Sequence, residues 1–243
     1  FYRQNPDYGS HQARYTVFAG LAELLDRLEE TRVTEADLAA LREVRGGSGA
    51  RLFGSDFLEW LGGHAHPFAA ITVNAVAEGR VVHPRAPLAT VQGPLAAVQL
   101  LESALLNTLN YSTLIAAKAA RLRLAAGGAP VVDFGMRRGQ GEGVNVAARA
   151  ALVGGVDASS NTGASVVAGV QPVGTHAHAL VQAFIASGGS ELDAFRAYAR
   201  TYPDDCLLLI DTVDTLNSGL PNAITVFEEL SRAGRGPVGV RQD

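Results

Sequence analysis

The sequence has a single cysteine, Cys206, among its 243 residues. One cysteine cannot form a disulfide within the chain, and its place in the apolar run CLLLIDT predicts a small buried side chain. We therefore expect a protein of a reducing compartment, the cytoplasm, rather than a disulfide-stabilised secreted domain.

Long apolar runs and blocks of like charge are also missing. No apolar stretch reaches the roughly 18 residues of a transmembrane helix, and no charged and apolar leader opens the chain. The formal net charge is −4, without a run of five like charges, so we expect neither nucleic acid nor a membrane surface as a partner. No methionine precedes Phe1, and we interpret the sequence as a fragment.

The first half of the chain, residues 1–128, carries patterns of both helices and strands. Apolar residues at helical spacing in VFAGLAELLDRLEE, and a cap signal at Thr34 before EADLAALREV, predict a pair of helices. The segment ITVNAVAEGRVVHPRAPLATVQG alternates and is interrupted by Gly and Pro, as short antiparallel strands would be. A long helix is predicted between Pro94 and Gly127, with residues 107–112 as a candidate position for a bend. Together these elements predict an N-terminal α+β domain.

The second half, residues 129–243, has a different rhythm. Short apolar runs each end in polar residues, and helical stretches separate them: VVDFGMRR, GGVDASSN, QPVGTHAH, CLLLIDT and PVGVRQD. Alternation of this kind is typical of parallel strands with covering helices, whose functional groups collect at the carboxyl ends of the strands. Because a closed β/α barrel usually needs about eight such units, we predict an α/β fold whose second domain is an incomplete, irregular β/α barrel.

The pair His176 and His178 raises the question of a metal site. On a strand the two side chains share a face and could chelate one ion, whereas a helix that begins between them makes them diverge. A metal-dependent barrel hydrolase normally uses further histidines on later strands, and none follows His178 in the sequence. We assign no metal ligand, and the hydrolase stays an alternative. Asp211 and Asp243, at two strand ends, are open between substrate or Mg²⁺ binding and helix capping.

The order of several segments resembles the nicotinate phosphoribosyltransferase family over nearly the whole chain: LLESALLNTLNYSTLIAAKAARLRLAAGG, FGMRRGQG, GGVDASSN, VGTHAHALVQAF, LLLIDTVDTLNSGLPNAI and VGVRQD. The resemblance implies an α/β N-terminal domain followed by a type II phosphoribosyltransferase barrel. It implies an enzyme of NAD salvage that forms nicotinate mononucleotide and pyrophosphate from nicotinate and 5-phosphoribosyl 1-diphosphate. It also implies Mg²⁺, ATP as a co-substrate hydrolysed through a phosphohistidine, and a homodimer that shares its active site.

The resemblance assigns the histidine pair in a different way from a metal site. The family motif G-T-x-A-H begins at Gly174 and Thr175, which we take as substrate-binding residues, and its phosphohistidine corresponds to His178. His176 falls on the variable position of the motif. The resemblance therefore implies that His178 is a catalytic nucleophile that accepts the γ-phosphoryl group of ATP.

Further substrate-binding residues are implied by the other motifs. Phe134 corresponds to an aromatic residue that stacks on the pyridine ring, and Arg137 to the arginine that faces the nicotinate and phosphoribosyl pocket. Ser160 and Asn161 match an S-S-N turn that lines this pocket.

The last motif corresponds to the start of the family's R-x-D-S-G-D segment, and its matching residues are Arg241 and Asp243. In the family, this segment holds the ribose and the phosphates. The resemblance gives Asp243 a catalytic role, because a carboxylate and bound Mg²⁺ would stabilise the charges that develop as pyrophosphate leaves.

Several departures from the family pattern keep other interpretations open. Ala179 stands where the family usually has Ser, RRGQG replaces RRAQG, and TGAS follows the S-S-N turn in place of VLAG. The N-terminal D-L-Y-Q segment and everything after Asp243 are absent, so we expect the fragment to be inactive by itself. Nicotinamide phosphoribosyltransferase and a catalytically inactive binding subunit are the further alternatives.

Overall fold

Two compact units make up the chain in the computed structural model, Phe1–Val173 and Gly174–Asp243. The structure describes residues 4, 5, 7, 9, 13–236 and 238–243. Their boundary differs from the domain division predicted after residue 128, which lies just beyond the end of the long helix and stays a prediction. Among the described residues, no helix combines the length and the apolar composition that crossing a bilayer requires.

The first unit combines helices with short strands in a mixed order. Its elements along the chain are β1 (Thr16–Val17), α1 (Leu21–Glu30), α2 (Glu35–Glu43), α3 (Ser55–Gly62), β2 (Thr72–Ala75), β3 (Val81–Val82), β4 (Ala89–Gln92), α4 (Leu95–Ala125), β5 (Val132–Asp133), a 3₁₀ turn (Gly135–Arg138), α5 (Gly143–Val153), β6 (Ala158–Ser159) and α6 (Thr162–Val167).

The predicted helical pair and the antiparallel strands are confirmed. Helix α2 begins with a capping box, in which the Thr34 hydroxyl accepts from the Asp37 N–H and the Asp37 carboxylate accepts from the Thr34 N–H. Strands β2 and β4 pair antiparallel, with Val73 opposite Val91, and β1 pairs antiparallel with β3. Apolar side chains of these elements and of α4 form one core around Phe18.

Helix α4 is a single helix of 31 residues, and residues 107–112 stay helical. It ends before Gly127 and Gly128, whose φ angles of 56° and 104° lie in the left-handed region that favours glycine. Helix α5 packs closely on α4, since a Cβ at Gly154 would lie 2.4 Å from the carbonyl oxygen of Ala116. Beyond this contact, β5 and β6 form a parallel pair, with Asp133 opposite Ser159.

The second unit contains α7 (His178–Ala186), α8 (Glu191–Thr201), β7 (Leu207–Leu209), a π-helical segment (Thr215–Gly219), α9 (Leu220–Arg232) and β8 (Gly239–Arg241). Strands β7 and β8 pair parallel, with Leu209 opposite Arg241. Helices α7, α8 and α9 and strand β7 enclose a core that includes Val181, Phe195 and Val226. Cys206 is fully buried in this core, as its apolar context predicted.

One predicted strand is absent, which corrects the interpretation of QPVGTHAH. Residues 170–177 have no strand pairing, whereas the other four runs contain the parallel strands β5, β6, β7 and β8. Pro172 cannot donate a backbone hydrogen bond, which disfavours a place within a ladder. The α/β class is confirmed, and its parallel strands occur as two separate pairs in the described part of the chain.

Candidate functional site

The site in the second unit centres on His178, the first residue of helix α7. The helix begins between the two histidines of the pair, so they do not share a strand face. His178 Nε2 lies 3.1 Å from Asp211 Oδ1, and the side chains are 34% and 16% exposed. Since a carboxylate accepts hydrogen bonds, Nε2 carries the proton and Nδ1 holds a free electron pair in the neutral ring.

Asp211 is fixed from two sides. Its second oxygen, Oδ2, accepts a hydrogen bond of 3.1 Å from the backbone N–H of Asp243. Burial acts to raise the pKa of Asp211, but the hydrogen bonds from Asp243 and His178 prevail and hold that pKa below its ordinary value. Asp211 is therefore an ionised acceptor that orients the His178 ring.

The strand pair places Asp243 beside Asp211. The ladder continues past β7, because the Ile210 N–H donates to the Arg241 carbonyl oxygen at 3.0 Å. The Arg241 guanidinium then forms an ion pair with Asp243 and donates to Thr175 Oγ1 at 2.9 Å. Hydrogen bonds therefore join the predicted residues Thr175, Arg241 and Asp243 into one cluster.

A close approach of two backbones supports Asp211 from behind. Asp214 caps the π-helical segment by accepting from the N–H groups of Leu216 and Asn217. At the end of this segment, a Cβ on Gly219 would lie 1.8 Å from the carbonyl oxygen of Ile210, the residue before Asp211. Only glycine fits there. Gly174, in contrast, has open space where a Cβ would be.

His176 has a different environment from His178. It is 7% exposed, and its Nε2 accepts a hydrogen bond of 3.0 Å from the Leu209 N–H. Burial lowers its pKa, which keeps the ring neutral. Because the ring nitrogen is already used and buried, the two histidines do not form a chelate, and the hydrolase alternative is not favoured.

Metal-binding groups are sparse in the described residues. No cluster of three or more His, Cys, Asp or Glu side chains able to hold an ion occurs among them. A second HAH sequence occurs at residues 64–66. Both of its histidines are hydrogen-bonded to the backbone: His64 Nδ1 lies 2.6 Å from the Trp60 carbonyl oxygen, and His66 Nε2 lies 2.7 Å from the Leu28 carbonyl oxygen. Mg²⁺ usually keeps several waters and binds one or two carboxylates together with substrate phosphates. Asp243 fits such a weak, shared site.

Two predicted pocket residues follow strand β5 in the first unit. Phe134 precedes the 3₁₀ turn and is 38% exposed, and Arg137 lies exposed within that turn. The turn is anchored by Asp133, whose Oδ1 accepts from the Gly135 N–H and whose Oδ2 accepts from the Ser159 hydroxyl. Asp133 thus connects the β5 and β6 ends, a role that the sequence interpretation missed.

The S-S-N turn follows β6 and is held by its own hydrogen bonds. The Ser160 N–H donates to the Asp133 carbonyl oxygen at 2.8 Å. Asn161 is 3% exposed; its Oδ1 accepts from the Ala164 N–H and caps α6, while its Nδ2 donates to Asn145. These contacts give Asn161 a structural role, and substrate binding by Ser160 and Asn161 stays a prediction.

Asp211 is a further residue of the site, and the sequence left its role undecided between ligand binding and helix capping. Its signal was present, since a carboxylate directly after the buried run CLLLI is a recurrent functional position in parallel sheets. Helix capping explains such a residue equally well, and only the contact with His178 distinguishes the two roles.

Comparison with known proteins assigns the chain to a family. Residues 1–110 match the model of the nicotinate phosphoribosyltransferase N-terminal domain. The chain is 40% identical to nicotinate phosphoribosyltransferase of Bacillus subtilis over 216 residues, which cover 88% of this chain and 41% of that protein. The chain belongs to the nicotinate phosphoribosyltransferase family. Nicotinate phosphoribosyltransferase 1 of Arabidopsis thaliana is 33% identical, over 100% of this chain and 50% of its own length.

The fold of the family agrees with the structure. The crystal structure of human nicotinic acid phosphoribosyltransferase aligns with 99% of this chain and 55% of its own chain, with a TM-score of 0.82 and 31% identity. The predicted fold of a nicotinate phosphoribosyltransferase is thereby confirmed. The chain spans about half the length of the curated relatives it matches.

Proposed function

We propose that this chain is part of a nicotinate phosphoribosyltransferase, which joins nicotinate to the phosphoribosyl group of 5-phosphoribosyl 1-diphosphate and releases pyrophosphate. The observation that carries the proposal is the hydrogen bond between His178 and Asp211. It gives a histidine of the family's phosphohistidine motif the protonation pattern of a nucleophile. The names of the relatives support nicotinate rather than nicotinamide as the base.

The first step of the proposed function is phosphorylation of His178 by ATP. The Nδ1 electron pair attacks the γ-phosphorus, a bond forms between Nδ1 and phosphorus, and the bond to the β-phosphate oxygen breaks to release ADP. Asp211 stabilises the positive charge that the ring gains during attack, because its carboxylate accepts a hydrogen bond from the Nε2–H group. Water later hydrolyses the phosphohistidine to phosphate and regenerates the ring.

The position of His178 at a helix start favours this step. The first turn of a helix presents N–H groups and the positive end of its dipole, which stabilise an anion nearby. Ala177, the residue at the N-cap of α7, has no side chain that could cap these groups. A phosphoryl group on His178 would therefore lie near backbone donors that no side chain caps.

The phosphoribosyl substrate is proposed to bind beside this cluster. Arg241 would pair with a phosphate oxygen, and Thr175 and Gly174 would line the approach, since a guanidinium suits phosphate recognition. Mg²⁺ bound with the diphosphate would neutralise the leaving pyrophosphate. Asp243 would contact that ion and stabilise the positive charge that develops on the ribose carbon.

The base is proposed to bind through residues of the first unit. Phe134 would stack on the pyridine ring, and Arg137 would pair with the carboxylate of nicotinate. Ser160 and Asn161 would complete this pocket. A homodimer and a cytoplasmic location belong to the same proposal.

The test is pyrophosphate release by the full-length protein with 5-phosphoribosyl 1-diphosphate and Mg²⁺. Nicotinate and nicotinamide are compared, each with and without ATP. We expect release that requires nicotinate and rises with ATP. Release with nicotinamide alone would assign the other base, and no release with either base would refute the transferase.

A further inference from the structure

We propose that His176 is a positioning residue that sets the register between the segment carrying His178 and strand β7, so that His178 meets Asp211. This role is independent of the family motif, in which His176 occupies the variable position. It concerns the placement of the nucleophile and not the chemistry itself.

Two hydrogen bonds with equal spacing carry the inference. The His176 bond to the Leu209 N–H and the His178 bond to Asp211 each join residues 33 positions apart. Residues i and i+2 of one segment therefore face residues j and j+2 of the other. The two contacts thus keep the same two-residue spacing on both segments, which is what a fixed register requires, although His178 already belongs to helix α7 and Asp211 lies beyond β7.

The His176 imidazole takes the place of a backbone hydrogen-bond ladder between residues 170–177 and strand β7. Residues 170–177 form no strand, so no regular pairing of the main chain fixes them along β7. The Leu209 N–H is buried in the core and requires an acceptor. His176 supplies that acceptor from a side chain, which ties the segment to β7 at a single point.

The ring is held tightly enough to define that point. Its centroid lies 5.6 Å from that of Phe195 and 5.0 Å from that of Tyr198, and the His176 and Tyr198 rings form a T-shaped pair. Its Nδ1 lies 3.4 Å from the Ala177 carbonyl oxygen, which matches a protonated Nδ1 and an accepting Nε2. Packing and both nitrogens thus determine the orientation of the ring.

The register determines which residue of the segment lies opposite Asp211. If the segment moved along β7 by one position, Ala177 instead of His178 would stand opposite Asp211. Alanine has no nucleophile, so phosphoryl transfer would stop. This step rests on the proposed function, whereas the register itself does not.

The experiment compares His176→Gln with His176→Asn in the full-length protein. The glutamine oxygen reaches the position of Nε2, whereas the asparagine oxygen reaches only that of Nδ1, so the two variants differ in where the acceptor lies. Crystal structures report the distance from His178 Nε2 to Asp211 Oδ1. Transfer of labelled phosphate from ATP to His178 reports the rate.

We expect His176→Gln to keep the 3.1 Å contact and a rate near that of the wild type. We expect His176→Asn to lengthen the contact and to phosphorylate about 10- to 100-fold more slowly, since a misplacement of about 1 Å can cost on the order of 100-fold. An unchanged distance in His176→Asn, or equal defects in both variants, would overturn the inference.

The wild-type protein supplies a measurement that needs no variant. Long-range ¹H–¹⁵N correlation spectra assign the tautomer of His176, and we expect the proton on Nδ1. A proton on Nε2 would remove the acceptor for Leu209 and refute the inference. If the wild type forms no phosphohistidine at all, the proposed function fails while the distance and the tautomer still decide the role of His176.

Discussion

The imidazole of His178 and the carboxylate of Asp211 are hydrogen-bonded at 3.1 Å, across 33 residues of chain. One group opens helix α7 and the other follows strand β7 by two residues. The contact orients the His178 ring, because the carboxylate selects its tautomer, and in the proposed reaction the carboxylate would stabilise the charge of the ring. The proposed coupling of ATP to phosphoribosyl transfer depends on this contact.

Replacement of His178 tests the coupling directly. We expect His178→Ala to abolish phosphorylation by ATP and the ATP-stimulated part of pyrophosphate release in the full-length protein. His64→Ala is the matched control, because His64 belongs to the other HAH sequence and is exposed, and its side chain contacts the carbonyl oxygen and the ring of Trp60. Stimulation by ATP that survives in His178→Ala would contradict the assignment.

Asp211→Asn keeps the size of the side chain and removes its charge. We expect phosphorylation of His178 to slow by roughly 10²- to 10³-fold, the range for the loss of one preorganised electrostatic partner. The pKa of Asp211 lies below its ordinary value, so the carboxylate stabilises the fold above that value and loses this effect only as the pH falls through the folded-state pKa. The carboxylate of Asp211 therefore does not change its charge between pH 5 and pH 8. Any pH dependence of the phosphorylation rate that is measured in the wild type across this range should come from other groups.

The burial of His176 predicts a pH dependence of stability. Burial lowers its pKa most strongly, the hydrogen bond with the Ala177 carbonyl oxygen opposes this shift, His178 and Arg241 lower the pKa further, and Glu191 raises it. As the pH falls below about 6.5, the unfolded chain binds a proton that the folded ring resists, so the free energy of unfolding decreases until the folded-state pKa is reached. Urea unfolding between pH 7.5 and pH 5.5 should show a shallower decrease in His176→Gln. Equal slopes would contradict the prediction.

A buried carboxylate supports the segment behind the site. Glu191 is 3% exposed, and its Oε2 accepts from the Ser218 hydroxyl and from Asn222 Nδ2. We expect Glu191→Ala to lower the free energy of unfolding by about 1–3 kcal/mol, because both donors lose a buried acceptor. Glu228→Ala is the control, since its ion pair with Arg232 is exposed and should contribute less than about 1 kcal/mol. Equal losses in the two variants would count against this role of Glu191.

Gly219 tests the backbone contact with Ile210. Its Cβ would fall 1.8 Å from the Ile210 carbonyl oxygen, so Gly219→Ala must displace the chain next to Asp211. We expect a loss of about 1–3 kcal/mol in stability, as for other overpacked sites, together with slower phosphorylation of His178. Gly47→Ala, where a Cβ meets no atom within 4 Å, is the control for thermal unfolding. A wild-type melting temperature in Gly219→Ala would refute the expectation.

Much of the secondary structure could be predicted from local patterns. The cap at Thr34, the alternating strands of the first unit and the long helix after Pro94 were read from the sequence and are confirmed. The QPVGTHAH strand was wrong, because an apolar run that ends in polar residues does not reveal whether a neighbour offers a backbone ladder. The boundary between the compact units also depends on contacts rather than on composition.

The sequence by itself determined the α/β class, the order of its elements and the set of chemically capable residues, because propensity, periodicity and motif spacing are local properties of the chain. Only the tertiary structure decided that His176 accepts a hydrogen bond from the buried Leu209 N–H and that His178 meets the Asp211 carboxylate. His176 and His178 are the same residue type two positions apart, and they differ in what faces them. Leu209 and Asp211 come from 33 residues further along, and their placement follows from packing in the core, which no local pattern records.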